Sequence, residues 1–260
     1  MSETVTLTQD KEVAKLILNR PAVFNAFDHN MIEHLAHHLV ALAVDNTVRG
    51  IVISGEGKGF CAGGDLKWVS EFPLGPAAAF HKEAASFHQA IVEIRRMPKP
   101  VIAAINGIAA GGGFSLALAC DFRVMARSAT LRQAYTSNGL CVNGGGTFML
   151  PRIVGLARAL EIVGFDAPIS SEKALAWGLV TKVVDDGHVL EEAMNMAHGL
   201  SKGSLNSFGW SKQLLTDSFN NAFEAHIERE RLGLCSCAEH PDGKEGLKAF
   251  IDKRKPVFQS

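Results

Sequence analysis

A chain of 260 residues, 47% of them hydrophobic, is long enough for one large α/β domain or for such a core with a small helical addition. Its 26 basic and 27 acidic residues are interspersed and give a formal net charge of −1, which excludes the basic field that nucleic acid or an anionic membrane requires. The first residues lack a signal-peptide pattern and no apolar run approaches a membrane span, so we expect a soluble, cytoplasmic protein. A mitochondrial form without its transit peptide is the alternative.

The five cysteines are an odd number and show no metal-ligand spacing. Cys235 and Cys237 are separated by one residue, whereas metal-binding pairs are typically separated by two. We therefore expect free thiols in a reducing compartment, and no metal site.

Two strands and two helices are predicted before residue 100. Apolar runs predict strands at 13–18 and 51–54, and Asp28 is expected to cap a helix that extends to about residue 44. Apolar residues at spacings of three and four predict a long second helix over 76–97. Strands that alternate with helices are typical of an α/β core.

Two histidines lie on the second predicted helix. His81 and His88 are seven residues apart, so they share one face of it. That face either borders a binding pocket or, more simply, lies at the surface.

Two glycine-rich turns each follow a predicted strand and precede a helix. The strand 101–105 leads through Gly111, Gly112 and Gly113 into a helix over 114–120, and the strand 50–54 leads into the segment 57–68, G-K-G-F-C-A-G-G-D-L-K-W. Such a turn leaves backbone N–H groups free to bind an anion or polarise a carbonyl. Two donors that face one oxygen form an oxyanion hole, each worth about 3 kcal/mol in the transition state. The simpler alternative is that the glycines only permit close helix packing.

The second half of the chain changes from alternating elements to helices alone. Strands are predicted at 121–126, 130–131 and 180–184, and the pattern is purely helical from about residue 191 to residue 253. We place the boundary near residues 190 to 204, with a core at 1–195 and a carboxyl-terminal helical region at 196–260.

Six segments, taken in order and spacing, resemble the crotonase or enoyl-CoA hydratase/isomerase superfamily over nearly the whole chain. They are L-N-R-P-A-V-F-N-A-F from Leu18, F-C-A-G-G-D-L from Phe60, K-P-V-I-A-A-I-N-G through A-C-D from Lys99, G-G-G-T-F-M-L-P-R-I-V-G from Gly144, A-L-A-W-G-L-V from Ala174, and E-G-L-K-A-F-I-D-K-R-K-P-V-F from Glu245.

The resemblance implies a β-β-α spiral core and terminal helices that assemble trimers, often paired as hexamers. It further implies that paired N–H groups hold the thioester carbonyl of an acyl-CoA and stabilise its enolate. By position, the donors here would be the backbone N–H groups of Ala62 and Gly112. Coenzyme A would arrive as part of the substrate, and no other cofactor is expected.

Four residues are expected, by resemblance, around the coenzyme A moiety. Phe250 and Lys253 match positions that touch its adenine and phosphates, in some members from a neighbouring subunit. Lys67 is a further phosphate candidate, with Asp65 beside it at the first turn. Without the resemblance, the segment 246–258 is simply an amphipathic helix with a solvated basic face.

The catalytic positions depart from those of the hydratases that the chain resembles. Hydratases carry two glutamates that hold and split water, and this chain has Ser115 and Tyr135 in their places. Ser115 is interpreted as a small spacer or a water holder. Tyr135 either assists proton movement or lines the pocket, since an unperturbed phenol pKa of about 10 makes it a poor base.

A second subgroup of the family, which includes enoyl-CoA isomerases, uses one aspartate at the position of Asn143. An amide cannot act as a general base, and Asn143-Gly144 is also a common turn dipeptide. Three functional explanations stay open: an engineered Asp-to-Asn variant, a natural homologue with another base, or deamidation to the carboxylate. We predict double-bond isomerisation of an enoyl-CoA, with enoyl-CoA hydration or non-catalytic acyl-CoA binding as the alternatives.

Overall fold

The strands form two sheets in the computed structural model, which describes residues 3–259. The larger sheet has six strands in the order β1-β2-β3-β5-β7-β10, and the smaller has four in the order β4-β6-β8-β9. Their bounds are β1 (Val5–Asp10), β2 (Val13–Leu18), β3 (Gly50–Gly55), β4 (Gly59–Cys61), β5 (Val101–Ile105), β6 (Ile108–Ala110), β7 (Phe122–Ala126), β8 (Thr130–Arg132), β9 (Ile169–Ser170) and β10 (Lys182–Val184).

The sheets are mostly parallel. In the larger sheet β1 and β2 form an antiparallel hairpin and all further pairs are parallel, while in the smaller sheet only β8 and β9 are antiparallel. β3 is buried except for its last residue, and β5 is buried along its whole length. Continuous apolar runs are typical of parallel strands that are covered on both faces.

Eleven α-helices occur in the described part of the chain. They are α1 (His29–Val44), α2 (Leu66–Ser70), α3 (Pro76–Arg96), α4 (Gly112–Ala119), α5 (Gly146–Val154), α6 (Leu156–Phe165), α7 (Ser171–Ala176), α8 (Val189–Ser201), α9 (Leu205–Asp217), α10 (Phe223–Glu239) and α11 (Pro241–Ile251). None of them is long and apolar enough to cross a membrane.

The α/β prediction is confirmed, and the strands and helices predicted up to residue 105 correspond to β2, α1, β3, α3 and β5, with β1, β4 and α2 inserted among them. Asp28 caps α1 by accepting a hydrogen bond from Met31 N–H at 2.9 Å, as its position predicted. The short strands β4, β6 and β9 were not predicted. With two or three residues each, they are too short to show the periodicity on which such predictions depend.

The carboxyl-terminal helices lie beyond the core, but the predicted boundary at residue 195 falls inside α8. That helix packs against β3, β5 and β7 through Val189, Ala193 and Ala197, whose small side chains allow close contact with the sheet. The helices outside the sheet layers therefore begin with α9. In the single chain, Phe250 and Ile251 of α11 are 84% and 75% exposed.

Candidate active site

A cavity of about 350 Å³ lies between one face of α3, the start of α1 and the two glycine-rich turns. Phe27, Phe80 and Phe87 give it an apolar wall. Only a few of the side chains that line it are polar. An apolar cavity with a small number of convergent polar groups is the usual form of a site for a small molecule.

The two glycine-rich turns are in direct contact. A Cβ atom built on Gly63 would lie 2.9 Å from the carbonyl oxygen of Ala110 and 3.2 Å from the nitrogen of Gly112, and one built on Gly113 would overlap Cys61. Gly63 also has a φ of 96°, which disfavours any residue with a side chain. The glycines therefore allow the two turns to bring their amides to one place.

At the first turn, Gly64 has the free backbone N–H group that we had predicted for Ala62. The N–H of Ala62 donates to the carbonyl of Phe24 at 2.9 Å, and Asp65 N–H donates to Phe27 at 2.8 Å. Gly63 N–H contacts the sulfur of Cys61 at 3.4 Å. Gly64 is thus the residue of this turn whose amide has no protein acceptor in the described part of the chain, and it borders the cavity. The Ala62 prediction was wrong because the sequence does not show which amide a loop hydrogen bond occupies.

At the second turn, Gly112 lies where the resemblance placed it. It is the first residue of α4, and its N–H is one of those that have no acceptor within a helix. The neighbouring Gly111 N–H donates to the carbonyl of Arg132 at 3.1 Å, and Ser115 N–H donates to Gly111 at 3.1 Å. Gly112 borders the same cavity as Gly64, so the two turns contribute one amide each.

Asn143 also lines the cavity, in the loop before α5. Its Oδ1 lies 2.7 Å from Nε2 of His88, and its main-chain oxygen accepts a hydrogen bond from Ser115 Oγ at 2.7 Å. Ser115 is fully buried. Its hydroxyl therefore fixes the backbone of the Asn143 loop, a role that we had not predicted for it.

Tyr135 also lines the cavity. Burial raises the pKa of its hydroxyl to about 12, although contacts with the Ser115 side chain and the Asn143 backbone oppose this effect. The phenol is consequently protonated at neutral pH. It can donate a hydrogen bond to a ligand but is a weak base.

Glu83 is a carboxylate in this cavity that the sequence analysis did not single out. It lies on α3 one turn before Phe87 and is only 5% exposed, and Oε1 has no hydrogen-bond partner in the described part of the chain. Burial, together with the negative charges of Asp28 and Asp65, raises the pKa of Glu83 to about 7. A buried carboxyl without a partner is costly and marks a candidate functional group.

Known proteins resemble this chain over nearly its whole length. The family model for enoyl-CoA hydratase/isomerase matches residues 8–260. The chain belongs to the enoyl-CoA hydratase/isomerase family. It is 36% identical over 259 residues to the 1,2-epoxyphenylacetyl-CoA isomerase of Escherichia coli, with 99% of each chain covered. It is 34% identical over 263 residues to the crotonyl-CoA hydratase of Syntrophomonas wolfei, which covers 99% of this chain and 98% of that protein.

The fold of the enoyl-CoA hydratase/isomerase family is confirmed by solved structures. A crystal structure of an enoyl-CoA hydratase from Polaromonas sp. JS666 matches with a TM-score of 0.90 at 36% identity, over 97% of this chain and 98% of that one. This chain is therefore an acyl-CoA enzyme of the family, with the crotonase-type core that its motifs predicted.

The residues that the family resemblance assigned to coenzyme A do not gather in one place in the single chain. Asp65 is engaged within the protein: it accepts a hydrogen bond from Trp68 N–H at the start of α2 and pairs with Arg20 at 3.0 Å. Lys67 is exposed on α2, close to the first turn. Phe250 and Lys253 lie at the end of α11 and do not line the cavity. Their predicted contacts with coenzyme A stay predictions.

Three residues of this family site were missed or undervalued from the sequence. Gly64 lies two residues after the predicted donor, and only the hydrogen bonds of the turn distinguish the two. His88 shares a helix face with His81, which gave a weak signal. Glu83 gave none, because a glutamate in a helix is normally solvated and its burial becomes visible only in the packed structure.

Proposed function

We propose that this enzyme moves the double bond of an enoyl-CoA between the β,γ and α,β positions through a thioester enolate. The pair of amides from Gly64 and Gly112 at the edge of one apolar cavity carries this proposal. N–H groups that face a developing oxyanion stabilise it by about 3 kcal/mol each. The enolate is the state in which negative charge moves onto the thioester oxygen.

Isomerisation is favoured over hydration by the groups that face the cavity. Hydration by the two-glutamate route needs two carboxylates to position and split one water molecule. The corresponding residues here are Ser115, whose hydroxyl is bonded to Asn143, and Tyr135, which is protonated at neutral pH. Isomerisation needs one group that takes a proton from the α-carbon and returns it to the γ-carbon, with no water.

Coenzyme A enters this proposal only as part of the substrate, and the acyl chain occupies the apolar cavity. Exposed apolar side chains on α10 and α11 support the trimer or hexamer that the family resemblance implies, since Phe223 is 72% and Phe250 is 84% exposed. The five unpaired cysteines support a reducing, cytoplasmic setting.

The test is to supply the protein with a linear 3-enoyl-CoA and follow the absorbance of the conjugated thioester, with product identification by mass spectrometry. We expect the 2-enoyl-CoA to accumulate. In a parallel sample, the protein receives the 2-enoyl-CoA directly, and we expect little loss of the conjugated thioester to water. Rapid hydration in the second sample with no isomer in the first would instead favour a hydratase. Acyl-CoA binding without any turnover would favour a binding protein.

A further inference from the structure

Helix α3 contributes one acidic residue, Glu83, to the lining of the cavity, and Phe87 on the same helix lies beside the proposed oxyanion site. Phe87 lies one helical turn after Glu83, and its ring would be 3.8 Å from a Cβ atom on Gly112. The Phe87 ring is also 5.2 Å, centroid to centroid, from that of Phe27, which borders the same amide. Glu83, these two rings and both glycine turns therefore enclose one volume.

We propose that Glu83 is the catalytic base of this enzyme, an assignment that rests on the proposed function. Its carboxylate removes a proton from the α-carbon of the 3-enoyl thioester, and the electron pair of the C–H bond moves to the carbonyl oxygen. The N–H groups of Gly64 and Gly112 hold the resulting dienolate. The Glu83 carboxyl then gives the same proton to the γ-carbon as the carbonyl reforms, which leaves an α,β double bond and the original carboxylate.

Two other polar groups in the cavity, those of Asn143 and Tyr135, are poorer bases. The amide of Asn143 cannot accept a proton at neutral pH, and its oxygen is already engaged with His88. Tyr135 keeps its proton because burial raises its pKa to about 12. His81 also lines the cavity but is an exposed residue. Glu83 lines the same cavity, is buried, and its Oε1 has no hydrogen-bond partner in the described part of the chain.

The charges around Glu83 suit a group that must both take and return a proton. Asp28, at the start of α1, and Asp65, at the start of α2, oppose its ionisation, while Arg20 pairs with both of them at 3.3 and 3.0 Å. The other titratable groups that border the cavity are His81 on α3 itself and, from other segments, Tyr135 and Cys141. Burial, followed by the charges of Asp28 and Asp65, raises the pKa of Glu83 to about 7, where proton removal and return are both feasible.

The experiment compares wild type, Glu83→Gln, Glu83→Asp and the control Glu93→Gln, which makes the same change on the same helix outside the cavity. Three quantities are measured: isomerisation of 3-enoyl-CoA, exchange of the α-protons of a saturated acyl-CoA in D₂O by NMR, and the Kd of that acyl-CoA by calorimetry. We expect Glu83→Gln to lose about 100-fold or more in both rates with Kd changed less than about threefold. Glu83→Asp should keep part of the rate, and Glu93→Gln should match wild type.

The pH profile gives a readout that a purely structural role would not change. We expect kcat of wild type to rise with pH through about 7, as the carboxylate forms, and this limb to be absent from the residual activity of Glu83→Gln. Isomerisation and exchange that persist at the wild-type rate in Glu83→Gln would overturn the assignment of Glu83 alone. A wild-type protein that exchanges α-protons but does not isomerise would refute the proposed function. The exchange rate of Glu83→Gln would then decide whether Glu83 is the base. A wild type inactive in both assays would refute both.

Discussion

Nε2 of His88 lies 2.7 Å from Oδ1 of Asn143, and this contact ties α3 to the loop before α5 at the edge of the cavity. With the amide oxygen toward the ring, Nε2–H is the donor. The same loop is also held by the buried Ser115, whose hydroxyl donates a hydrogen bond to the main-chain oxygen of Asn143. Residue 143 is therefore held at two points by its neighbours, which gives it a positional role that needs no carboxylate.

We expect Asn143→Asp to change the rate of isomerisation by less than about tenfold, since the proton is carried by Glu83 in our proposal. An aspartate is nearly isosteric with asparagine and can accept the same hydrogen bond from His88. The rate of 3-enoyl-CoA conversion at pH 7 is the measurement, with Asn30→Asp, an exposed position on α1, as the matched control. Conversion by the Asn143→Asp variant alone would show that this chain is a disabled enzyme whose base belongs at position 143. The intact mass of the wild-type protein should match a chain with asparagine, not aspartate, at position 143.

Gly64→Val should abolish acyl-CoA binding while it leaves the fold intact. A Cβ atom on Gly64 meets no other atom within 4 Å, so the new side chain would occupy the open cavity beside the amide pair. We expect a loss of at least about 100-fold in affinity for a saturated acyl-CoA by calorimetry, because a branched side chain there displaces the thioester. Tm should change by no more than about 2 °C.

The control for this variant is Gly164→Val on the exposed side of α6, where an added Cβ also meets no atom within 4 Å. Gly164→Val adds the cost of a β-branched residue within a helix, so it is the stricter control for stability, and only Gly64→Val should lose binding. Wild-type affinity in Gly64→Val would refute the assignment of its amide to the oxyanion site. Gly112→Val is a poorer test, since its Cβ would lie 3.3 Å from the ring of Phe27 and could disturb the packing.

The motifs were enough to predict the family and the α/β core, because the strands and helices that carry them have strong local patterns. They were not enough to choose between Ala62 and Gly64. Both residues are small and stand in the same turn, and the choice depends on a hydrogen bond to Phe24 from a distant part of the chain. Long-range hydrogen bonds of this kind have no local sequence signature.

Glu83 illustrates a different limit. Its helix was predicted from apolar spacing, and a charged residue within such a helix is expected to face water. Here α3 lies against the cavity on the side that carries Phe80, Ala84 and Phe87, and Glu83 shares that side. The sequence shows the amphipathic pattern but not that part of the buried face is left open for a ligand.

Glu83→Gln should make the protein more stable at pH 8 than wild type, by about 2 kcal/mol. The pKa of Glu83 rises from 4.5 to about 7 on folding, so the folded chain binds the proton more tightly than the unfolded chain. The contribution of Glu83 to wild-type stability must then fall as pH rises from about 4.5 to 7 and level off above it. Relaxation of the folded protein around the charge reduces the effect, so we expect less than the free energy that the full pKa shift corresponds to.

Urea unfolding at pH 5 and at pH 8 measures this effect as a difference between wild type and Glu83→Gln, which cancels all other titrating groups. The two proteins should be nearly equally stable at pH 5 and should diverge at pH 8. Glu93→Gln should follow wild type at both values. Parallel behaviour of wild type and Glu83→Gln would mean that the carboxyl is ionised in the folded protein at no cost, against the role proposed for it.

Lys212→Met should destabilise the protein by about 3 to 5 kcal/mol, because it leaves the buried Asp121 carboxylate without its counter-ion. Lys212 lies on α9, and its ammonium group donates to Asp121 at 2.7 Å and to the carbonyls of Ile94 and Lys99 at 2.6 and 3.2 Å. Its side chain is only 7% exposed. These hydrogen bonds thus join the first helix outside the core to α3, to the segment between α3 and β5, and to Asp121 just before β7.

The exposed Lys202→Met makes the same change near the end of α8 and should alter the free energy of unfolding by less than about 0.5 kcal/mol. The double variant Lys212→Met with Asp121→Asn should recover part of the loss, since an amide at 121 can still accept the hydrogen bond from Val101 N–H but carries no charge. Chemical denaturation of the four proteins at pH 7 is the measurement. A Lys212→Met protein as stable as wild type would show that Asp121 is neutral in the folded protein, and that α9 is held by its apolar contacts alone.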